Sequence, residues 1–229
     1  MAMDDKATTR TQFRYNRIAP VYDLMEAVIE RFAFRRWRER LWSLVDGNRV
    51  LEVGVGTGKN VPYYPRGVQV TAVDLSDKML DRAQRRAWEL DSKVDLRLMD
   101  AQKLAFPEAA FDVAVATFVF CSVPDPVLGL RELGRVVRPD GQILLLEHVR
   151  VNKPVVGRLM DLLDPFVARL MGPHINRRTV ENVKKAGLDI ERVEELAPGG
   201  LVKLIVARTK EGQIKFNHLK EEDDDCTDC

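Results

Sequence analysis

A short glycine-rich segment, followed by acidic residues, is the part of this 229-residue chain whose residue types and spacing most clearly suggest chemistry. The segment VLEVGVGTG, residues 50–58, has glycines at Gly54, Gly56 and Gly58, one residue tighter than the G-x-G-x-x-G spacing of dinucleotide-binding loops. Glycines in such a loop let the backbone approach a ligand without an intervening Cβ atom. A tight turn without any ligand is the alternative, so the interpretation depends on the neighbouring residues.

Acidic side chains lie at the ends of successive predicted strands beside this loop. Glu52 precedes the glycines, where its charge would repel a pyrophosphate but suits an ammonium or sulfonium group. Asp74 ends the next strand, a position from which a carboxylate can accept both hydroxyls of a ribose. Asp100 and Ala101 follow a third strand, where a carboxylate and a backbone N–H could bind adenine. One such acid could be a helix cap, but three together favour S-adenosylmethionine (SAM), an adenosine with a cationic amino-acid arm.

The elements that must position these residues alternate between strands and helices. Apolar runs rich in β-branched residues predict buried strands in RVLEVGV, QVTAVDL, VDLRLMD, FDVAVATFVF and QILLLEHV. Helices are predicted to begin at Asp77 and Pro126, with Ser76 and Asp125 as their N-caps. This alternation predicts a parallel sheet with helices on both faces, whose ligands bind beyond the carboxyl ends of the strands.

The alternation stops after residue 188. LDIERVEEL and LVKLIVAR predict two strands joined by a turn at residues 198–200, which makes a hairpin at the end of the sheet. Residues 1–46 are predicted to form a helical preface, and residues 149–187 a helical, lid-like insertion before the hairpin. We therefore expect one domain over residues 1–210, followed by an acidic, disordered tail at residues 211–229.

Composition limits the partners of the chain. The 36 Lys and Arg residues balance 35 Asp and Glu, for a formal net charge of +1, so no nucleic-acid partner is expected. The sequence contains no apolar run of about 18 residues, so no membrane span is predicted. The polar N-terminus argues against secretion. Three cysteines, an odd number, fit a reducing compartment, so we expect a cytoplasmic protein. Cys121 is interpreted as a small buried residue, and Cys226 and Cys229 as part of the solvated tail; no metal site is predicted.

Taken together, the motifs resemble those of the class I SAM-dependent methyltransferases. VLEVGVGTGKNVPYY, VDLSDKML, MDAQKLAFPEAAFDVAVATFVFCSVPDP and LGRVVRPDGQILLLEHV carry this resemblance, which extends from about Tyr15 to Ala207. It implies a Rossmann-like α/β fold with a seven-stranded, mostly parallel sheet whose last strand is antiparallel. It also implies cofactor contacts from Tyr15, Tyr22, Glu52, Gly54, Gly56, Thr57, Asn60, Asp74, Leu75, Met79, Asp100, Ala101 and Thr117.

Three groups of methyltransferases share further motifs with the chain. The preface segment RYNRIAPVYDLME resembles the opening of the quinone C-methyltransferases, in which Tyr15 and Tyr22 would close over SAM; packing of the preface helix is their alternative role. Bacterial phospholipid N-methyltransferases look like a closer match around this segment, LEVGVGTGKNVPYYP and SVPDP, whereas membrane-associated thiol S-methyltransferases share NVPYYPRGVQVTAVD and LLLEHV. The leading prediction is therefore N-methylation of phosphatidylethanolamine. The alternatives are C- or O-methylation of a polyprenyl quinone precursor, S-methylation of a small thiol, or a SAM-sensing module without turnover.

Methyl transfer requires alignment in a dry pocket more than a strong catalytic group, and it requires a base only where the acceptor must lose a proton. Tyr15, His148 and His174 are the candidate catalytic residues, and either histidine could take a proton from an ammonium headgroup near neutral pH. In the insertion, apolar residues at helical spacing predict an amphipathic lid over the acceptor or, alternatively, a helix packed on the core. These residues are Leu159, Leu162, Leu163, Phe166, Val167 and Leu170.

The preface also contains a basic segment, EAVIERFAFRRWRERLWSLV, at residues 26–45. Its bulky apolar residues are Phe32, Trp37, Leu41 and Trp42, and its charges are Arg31, Arg35, Arg36, Arg38 and Arg40. Such a helix can lie on an anionic bilayer with its apolar side inserted and its arginines at the headgroups. A helix packed against the sheet with a solvated face is the alternative. The first interpretation predicts peripheral contact with the inner face of the membrane, which would bring the enzyme to a lipid acceptor.

Overall fold

A computed structural model of the chain describes residues 2–29, 34–151, 153–170 and 174–209. The acidic tail, its two cysteines, Arg31 and Phe32 lie outside the described residues, so the predictions made for them stay predictions.

One seven-stranded sheet forms the centre of the fold. Its strands are β1 (Arg49–Val53), β2 (Gln69–Asp74), β3 (Val94–Leu98), β4 (Phe111–Thr117), β5 (Val137–His148), β6 (Asp189–Glu195) and β7 (Val202–Arg208), in the order β3-β2-β1-β4-β5-β7-β6. Neighbours from β3 to β5 pair in parallel, and β7 lies antiparallel to both β5 and β6. The predicted mostly parallel sheet with an antiparallel last strand is confirmed.

Six helices accompany the sheet in the described part of the chain: α1 (Ala2–Ile29), α2 (Arg35–Trp42), α3 (Asp77–Glu89), α4 (Pro126–Val136), α5 (Pro154–Leu170) and α6 (Thr179–Lys185). The two predicted N-caps are present. The Ser76 hydroxyl accepts the backbone N–H of Met79 at 3.1 Å, and the Asp125 carboxylate accepts two backbone N–H groups at 3.0 Å. These bonds satisfy donors that the first turn of a helix leaves free.

Two apolar layers enclose the sheet because alternate residues of a buried strand point to opposite faces. On one face, Leu51 and Leu145 pack with residues of α4 and α6. On the other face, Val50 and Leu144 pack with α2, and the same layer includes Ala83 of α3. The sheet is therefore covered on both sides, which fixes the carboxyl ends of β1 to β4 relative to one another.

The predicted insertion at 149–187 contains two helices with different surroundings. Helix α6 belongs to the core layer, since Val183 is fully buried beside α4. Helix α5 buries Gly157, Met160 and Asp164 instead of its apolar stripe.

The apolar stripe of α5 faces solvent where its side chains are described. Leu159, Leu162, Leu163 and Phe166 are exposed, so these four side chains do not pack on the core. The side chains of Val167 and Leu170 lie outside the described part of the chain. Helix α5 attaches to the protein through its opposite side, and its role as a lid over the acceptor stays a prediction.

Helix α2 also differs from its membrane-facing prediction. Leu41 and Trp42 are buried against the sheet, and the Trp42 ring lies 4.6 Å from the ring of Tyr64. Arg38 is buried as well, whereas Arg35 and Arg36 are exposed. The alternative, a helix packed on the sheet with a solvated face, is therefore correct for α2. Among the described helices, none has the length and hydropathy that a membrane crossing requires.

Candidate functional site

An open cleft lies at the carboxyl ends of β1 to β4 and contains about 710 Å³ of empty space, measured out to its mouth. Strand β1 lies between β2 and β4, so the chain order reverses beside this cleft, where ligands bind in open α/β sheets. Most of the predicted cofactor residues line it: Tyr15, Tyr22, Gly54, Gly56, Asp74, Leu75, Met79, Asp100, Ala101 and Thr117. The fold thus brings together residues from the preface, the glycine loop and three further strand ends.

Glycine is required at the first two glycine positions of the loop for different structural reasons. Both adopt positive φ angles, +69° at Gly54 and +56° at Gly56, which residues other than glycine rarely adopt. A Cβ atom on Gly54 would lie 2.4 Å from a methyl carbon of Val119, so close backbone packing requires this glycine. A Cβ atom on Gly56 would meet no atom within 4 Å. Because Gly56 lines the cleft, that open space is available to a ligand.

Asp74 and Asp100 are the two carboxylates in the wall of the cleft. Asp74 accepts the backbone N–H groups of Gly56 at 2.8 Å and Ser76 at 2.9 Å, which joins the glycine loop to the end of β2. Burial raises the pKa of Asp74, against the lowering effect of these N–H donors. Asp100 accepts the backbone N–H of Gln102 at 2.9 Å and the hydroxyl of Thr8 at 3.2 Å. Both carboxylates are therefore held in fixed orientations at adjacent strand ends.

Helix α1 covers the cleft and contacts several of the loops that form it. Thr8 bonds to Asp100, and Asn16 shares a hydrogen bond with Ser76. The Tyr15 hydroxyl lies 2.5 Å from that of Ser122. From α3, Arg82 donates to backbone carbonyls in the middle of α1. Tyr15 and Tyr22 both lie in the cleft wall, as closure over SAM would require, although their contact with SAM stays a prediction.

The hydroxyl and thiol groups near the cleft are held in their neutral forms. Burial raises the pKa of Tyr15 well above its usual value, so its hydroxyl stays protonated at neutral pH and is a hydrogen-bond partner rather than a base. Burial likewise raises the pKa of Cys121 to about 12, which leaves the thiol a weak nucleophile. The interpretation of Cys121 as a small buried residue is confirmed, since its side chain is 3% exposed.

A buried polar network lies behind the glycine loop, on the α2 side of the sheet. Arg38 donates to the Asn60 side chain at 2.8 Å, and Asn60 donates to Glu52 at 2.7 Å and to Thr117 at 3.0 Å. The Tyr64 hydroxyl also donates to Glu52. Burial raises the pKa of Glu52 to about 7, although these donors and the nearby Arg38 guanidinium oppose the rise. The network holds Thr117, which lines the cleft, in place.

Glu52, Thr57 and Asn60 are predicted cofactor residues that do not line the cleft. Glu52 shares its sheet face with Val50 and α2, because side chains alternate along β1, and the cleft is lined by Val53 instead. The backbone carbonyl of Thr57 accepts a bond from Arg86 of α3 at 2.9 Å. In the structure these three residues support the loop, and their contact with a cofactor stays a prediction.

The two candidate catalytic histidines also lie outside the wall of the cleft. His148 extends from β5 toward the α2 side, where its ring stacks on Phe118 at 4.4 Å. His174 bonds to the Asp164 carboxylate at 2.8 Å, and its backbone N–H donates to the carbonyl of Cys121 at 2.9 Å. Of the three candidate catalytic residues, the structure brings Tyr15 alone into the cleft wall.

The loop after β4 supplies cleft residues that the sequence interpretation missed. Phe118, Val119, Ser122, Val123 and Pro124 all line the cleft. The motif SVPDP lies in this loop and carried part of the family resemblance, so its position after a strand end was the available signal. Phe118 has a positive φ of 57°, an uncommon conformation for a bulky residue and a frequent feature of functional sites.

The buried carboxylate of Glu147, near the end of β5, holds the loop after β4 in place. Its carboxylate accepts the backbone N–H groups of Val119 at 2.9 Å and Phe120 at 3.0 Å. Burial raises the pKa of Glu147 to about 7, against the lowering effect of these donors. Within the strand pattern QILLLEHV, nothing distinguishes this buried acid from an exposed one, so the sequence could not reveal it. No cluster of three or more potential metal ligands occurs among the residues that the structure describes.

This strand order, with a glycine loop and two oriented carboxylates around a cleft at the switch point, defines a class I SAM-dependent methyltransferase. Residues 51–145 match the family model described as a methyltransferase domain. The chain is 36% identical over 157 residues to a phosphatidylethanolamine N-methyltransferase from Cereibacter sphaeroides, and the match covers 68% of this chain and 77% of that relative. The chain therefore belongs to the SAM-dependent methyltransferase family, and SAM is its cofactor.

Two further comparisons agree with this assignment. The chain is 30% identical over 182 residues to a demethylmenaquinone methyltransferase from Renibacterium salmoninarum, which covers 78% of this chain and 73% of that relative. A solved SAM-dependent methyltransferase from Thermotoga maritima has a TM-score of 0.66 at 20% identity, over 86% of this chain and 99% of that one. The second comparison concerns the fold alone.

Proposed function

We propose that this methyltransferase transfers methyl groups to the amine of a phospholipid headgroup, with phosphatidylethanolamine as the acceptor. One observation carries the choice of an amine: among the described residues, the charged side chains in the wall of the cleft are two acids, Asp74 and Asp100, and no described cation lines it. A negative cleft attracts a cationic donor and an ammonium-bearing acceptor, whereas it disfavours a thiolate or phenolate. The relative from Cereibacter sphaeroides, whose name specifies phosphatidylethanolamine, supports the same choice.

The residues of the cleft fit the donor in this proposal. Gly56 offers a backbone surface with open space beside it for the amino-acid arm, and Asp74 is placed for the ribose. Asp100 and the backbone of Ala101 are placed for adenine. Bound SAM supplies a methyl group on a positively charged sulfur. These assignments account for the cleft residues without a metal.

Tyr15 is the residue that we assign to the acceptor. Its hydroxyl stays protonated because burial raises its pKa, so it does not remove the acceptor's proton. Instead, its oxygen accepts an N–H of the amine while the Tyr15 hydroxyl hydrogen-bonds to that of Ser122, 2.5 Å away. The ammonium group of the acceptor loses one proton to solvent as it enters, because desolvation in the covered cleft favours the neutral amine, whose lone pair is the nucleophile. The protein contributes alignment and exclusion of water, while His148 and His174 have no part in this scheme.

Methylation of a quinone precursor is the second candidate. The cleft wall contains apolar side chains, among them Phe118, Val119 and Val123, that would suit an aromatic ring. The relative from Renibacterium salmoninarum is named as a demethylmenaquinone methyltransferase. A phenolate next to Asp74 and Asp100 is electrostatically unfavourable, and for this reason the amine ranks first.

A phospholipid acceptor implies that the protein meets a membrane surface. We therefore also propose peripheral association with the inner face of an anionic bilayer. On α2, Arg35 and Arg36 are exposed and would contribute charge, while the buried Leu41 and Trp42 would contribute nothing to insertion.

A turnover assay tests the acceptor. Purified protein is incubated with methyl-labelled SAM and liposomes that contain phosphatidylethanolamine, and label is measured in the extracted lipid. We expect label in the lipid and little transfer to a quinone precursor or a small thiol. Asp74→Ala should weaken SAM binding by about 1–3 kcal/mol, because it removes a charged hydrogen-bond acceptor. Asp95→Ala, which changes an exposed acid on β3, is the matched control.

Two outcomes separate the parts of this proposal. Label in the quinone or thiol, with none in lipid, would overturn the phospholipid assignment. SAM affinity that is unchanged in Asp74→Ala would overturn the assignment of this residue to the cofactor.

A further inference from the structure

Helix α5 presents a continuous apolar face to solvent. Its residues recur at helical spacing: Val155, Val156, Leu159, Leu162, Leu163 and Phe166. Val155, Leu162 and Phe166 are 80%, 68% and 72% exposed, whereas Gly157, Met160 and Asp164 on the opposite side are buried. Single exposed apolar residues are ordinary, but a contiguous apolar helix face usually marks an interaction surface. We call these six residues the α5 face.

In the described part of the chain around the α5 face, the acidic residues are paired with other side chains, whereas two of the basic residues are not. Asp161 is paired with Arg150 at 2.8 Å, and Asp164 is paired with His174 at 2.8 Å, so both described acids of the helix are engaged by the protein. Lys153 and Arg158 are exposed and have no acidic partner among the described residues. Arg158 precedes Leu159 of the face directly. The cations at the rim of the face are therefore uncompensated by the acids that the structure describes.

The buried side of α5 is linked to the wall of the cleft by hydrogen bonds. Asp164 holds His174, whose backbone N–H donates to the carbonyl of Cys121. The next residue, Ser122, lines the cleft and bonds to Tyr15. Two short steps thus connect the base of α5 to the proposed acceptor position.

We propose that the α5 face docks the protein onto an anionic lipid bilayer. An amphipathic helix with an apolar face and cations at its rim lies in the bilayer interface, with the apolar side chains among the acyl chains and the cations at the phosphates. A second copy of the chain fits less well, because a two-fold contact through this face would bring the same uncompensated cations of both copies together. The claim that docking brings the enzyme to its lipid acceptor rests on the proposed function. The claim that the α5 face binds vesicles does not.

Vesicle co-sedimentation of the full chain tests the docking. The probe is vesicles of phosphatidylcholine with phosphatidylglycerol, and the variant is Leu162→Ser with Phe166→Ser, both at exposed positions so that folding is preserved. We expect at least about a tenfold weaker apparent affinity for the vesicles, since two inserted side chains are lost. Trp88→Ser is the matched control, because this residue is 82% exposed on α3, away from the α5 face, and its loss should leave vesicle binding unchanged. Arg158→Glu should weaken binding to these vesicles but not to vesicles of phosphatidylcholine alone.

A second readout separates docking from catalysis. The Leu162→Ser, Phe166→Ser variant should lose methylation of phosphatidylethanolamine in vesicles but keep it on a short-chain phosphatidylethanolamine dispersed as monomers. Vesicle binding equal to wild type in this variant would overturn the proposal, and so would a dimer-to-monomer change without loss of vesicle binding. If the wild-type protein binds vesicles through α5 yet methylates no phosphatidylethanolamine, the docking stands and the proposed acceptor is wrong.

Discussion

Helices α2 and α5 differ in burial in the opposite way to what their sequences suggest. The α2 sequence RRWRERLW contains four arginines, yet Leu41 and Trp42 lie in the core and even Arg38 is buried. The α5 sequence has a continuous apolar stripe, yet Leu162 and Phe166 are exposed. Amphipathic spacing therefore shows that a helix has two faces but does not show which of them meets the protein.

The difference has a physical origin in what each helix meets. Helix α2 faces the apolar side of the sheet, where Leu144 and Leu146 provide a surface for Leu41 and Trp42. Helix α5 is attached through Met160, whose sulfur accepts the backbone N–H of Val151, and through the Asp164 carboxylate. Polar attachments hold α5 in place without using its apolar side chains, so those side chains stay available to a partner.

The largest expected contrast comes from one substitution made in both helices. Leu41→Ala should destabilise the protein by about 2–5 kcal/mol, because it opens a cavity in the core. Leu162→Ala should change stability by less than about 0.5 kcal/mol, because that side chain is already in water. Chemical denaturation of both variants measures the contrast, and similar losses for the two would break the comparison.

A second, smaller contrast concerns the arginines. Arg38→Ala should cost about 1.5–3 kcal/mol of stability, since a buried charged donor to Asn60 is lost. Arg158→Ala should leave the folded state as stable as wild type and affect vesicle binding alone. Denaturation curves for the two variants, with Arg35→Ala as an exposed α2 control, check this. A loss for Arg158→Ala as large as for Arg38→Ala would show that α5 is as much a structural helix as α2.

The pH dependence of stability tests whether Arg38 of α2 is coupled to Glu52 in the buried polar network. The pKa of Glu52 in the folded protein is about 7, above its unfolded value of about 4.3. The folded state therefore holds an extra proton between these pH values, and its stability is present at low pH and falls as pH rises through this window. Without the Arg38 guanidinium the pKa of Glu52 should rise further.

Arg38→Ala should consequently cost more stability at pH 8 than at pH 5, by about 1.4 kcal/mol for each further unit of pKa. Urea denaturation at the two pH values measures the difference. Arg158→Ala should show no such dependence, and a penalty for Arg38→Ala that is equal at both pH values would uncouple Arg38 from Glu52.

The smallest expected effect belongs to the exposed arginines of α2. Arg35→Glu with Arg36→Glu should not measurably change stability, and it should weaken binding to anionic vesicles less than the Leu162→Ser, Phe166→Ser variant does. The reason is that these two residues supply charge without any inserted apolar side chain. Vesicle sedimentation at low and moderate salt compares the variants; a stronger loss from the arginine pair would make α2 the docking helix.

Much of the fold follows from local sequence patterns. The buried strands appear as apolar runs, and Ser76 and Asp125 mark helix starts because their side chains satisfy local N–H groups. The strand-end residues Asp74 and Asp100 could be placed in the cleft because parallel strands end at one edge of the sheet. Such inferences depend on neighbours in sequence or on a general rule of sheet geometry.

The placements that the sequence could not provide depend on contacts between distant segments. Glu52 points away from the cleft because its strand parity places it opposite α2, and His148 stacks on Phe118 for the same reason. Ser122 becomes a cleft residue through its bond to Tyr15, which is 107 positions away. Likewise, the direction of the α5 stripe depends on the attachment of Asp164, which no periodicity reveals.

The glycine loop tolerates mutation unevenly, although its sequence looks repetitive. At Gly54 a methyl group collides with Val119, so alanine there is a packing defect that harms the protein before any ligand arrives. At Gly56 a methyl group meets no protein atom and would occupy the space left beside the cleft. Apart from the strain that both positive φ angles impose, the first glycine is therefore constrained by the fold and the second, in our proposal, by the space that the cofactor needs. Drift at the two positions answers to different selective pressures, one on folding yield and one on catalytic efficiency.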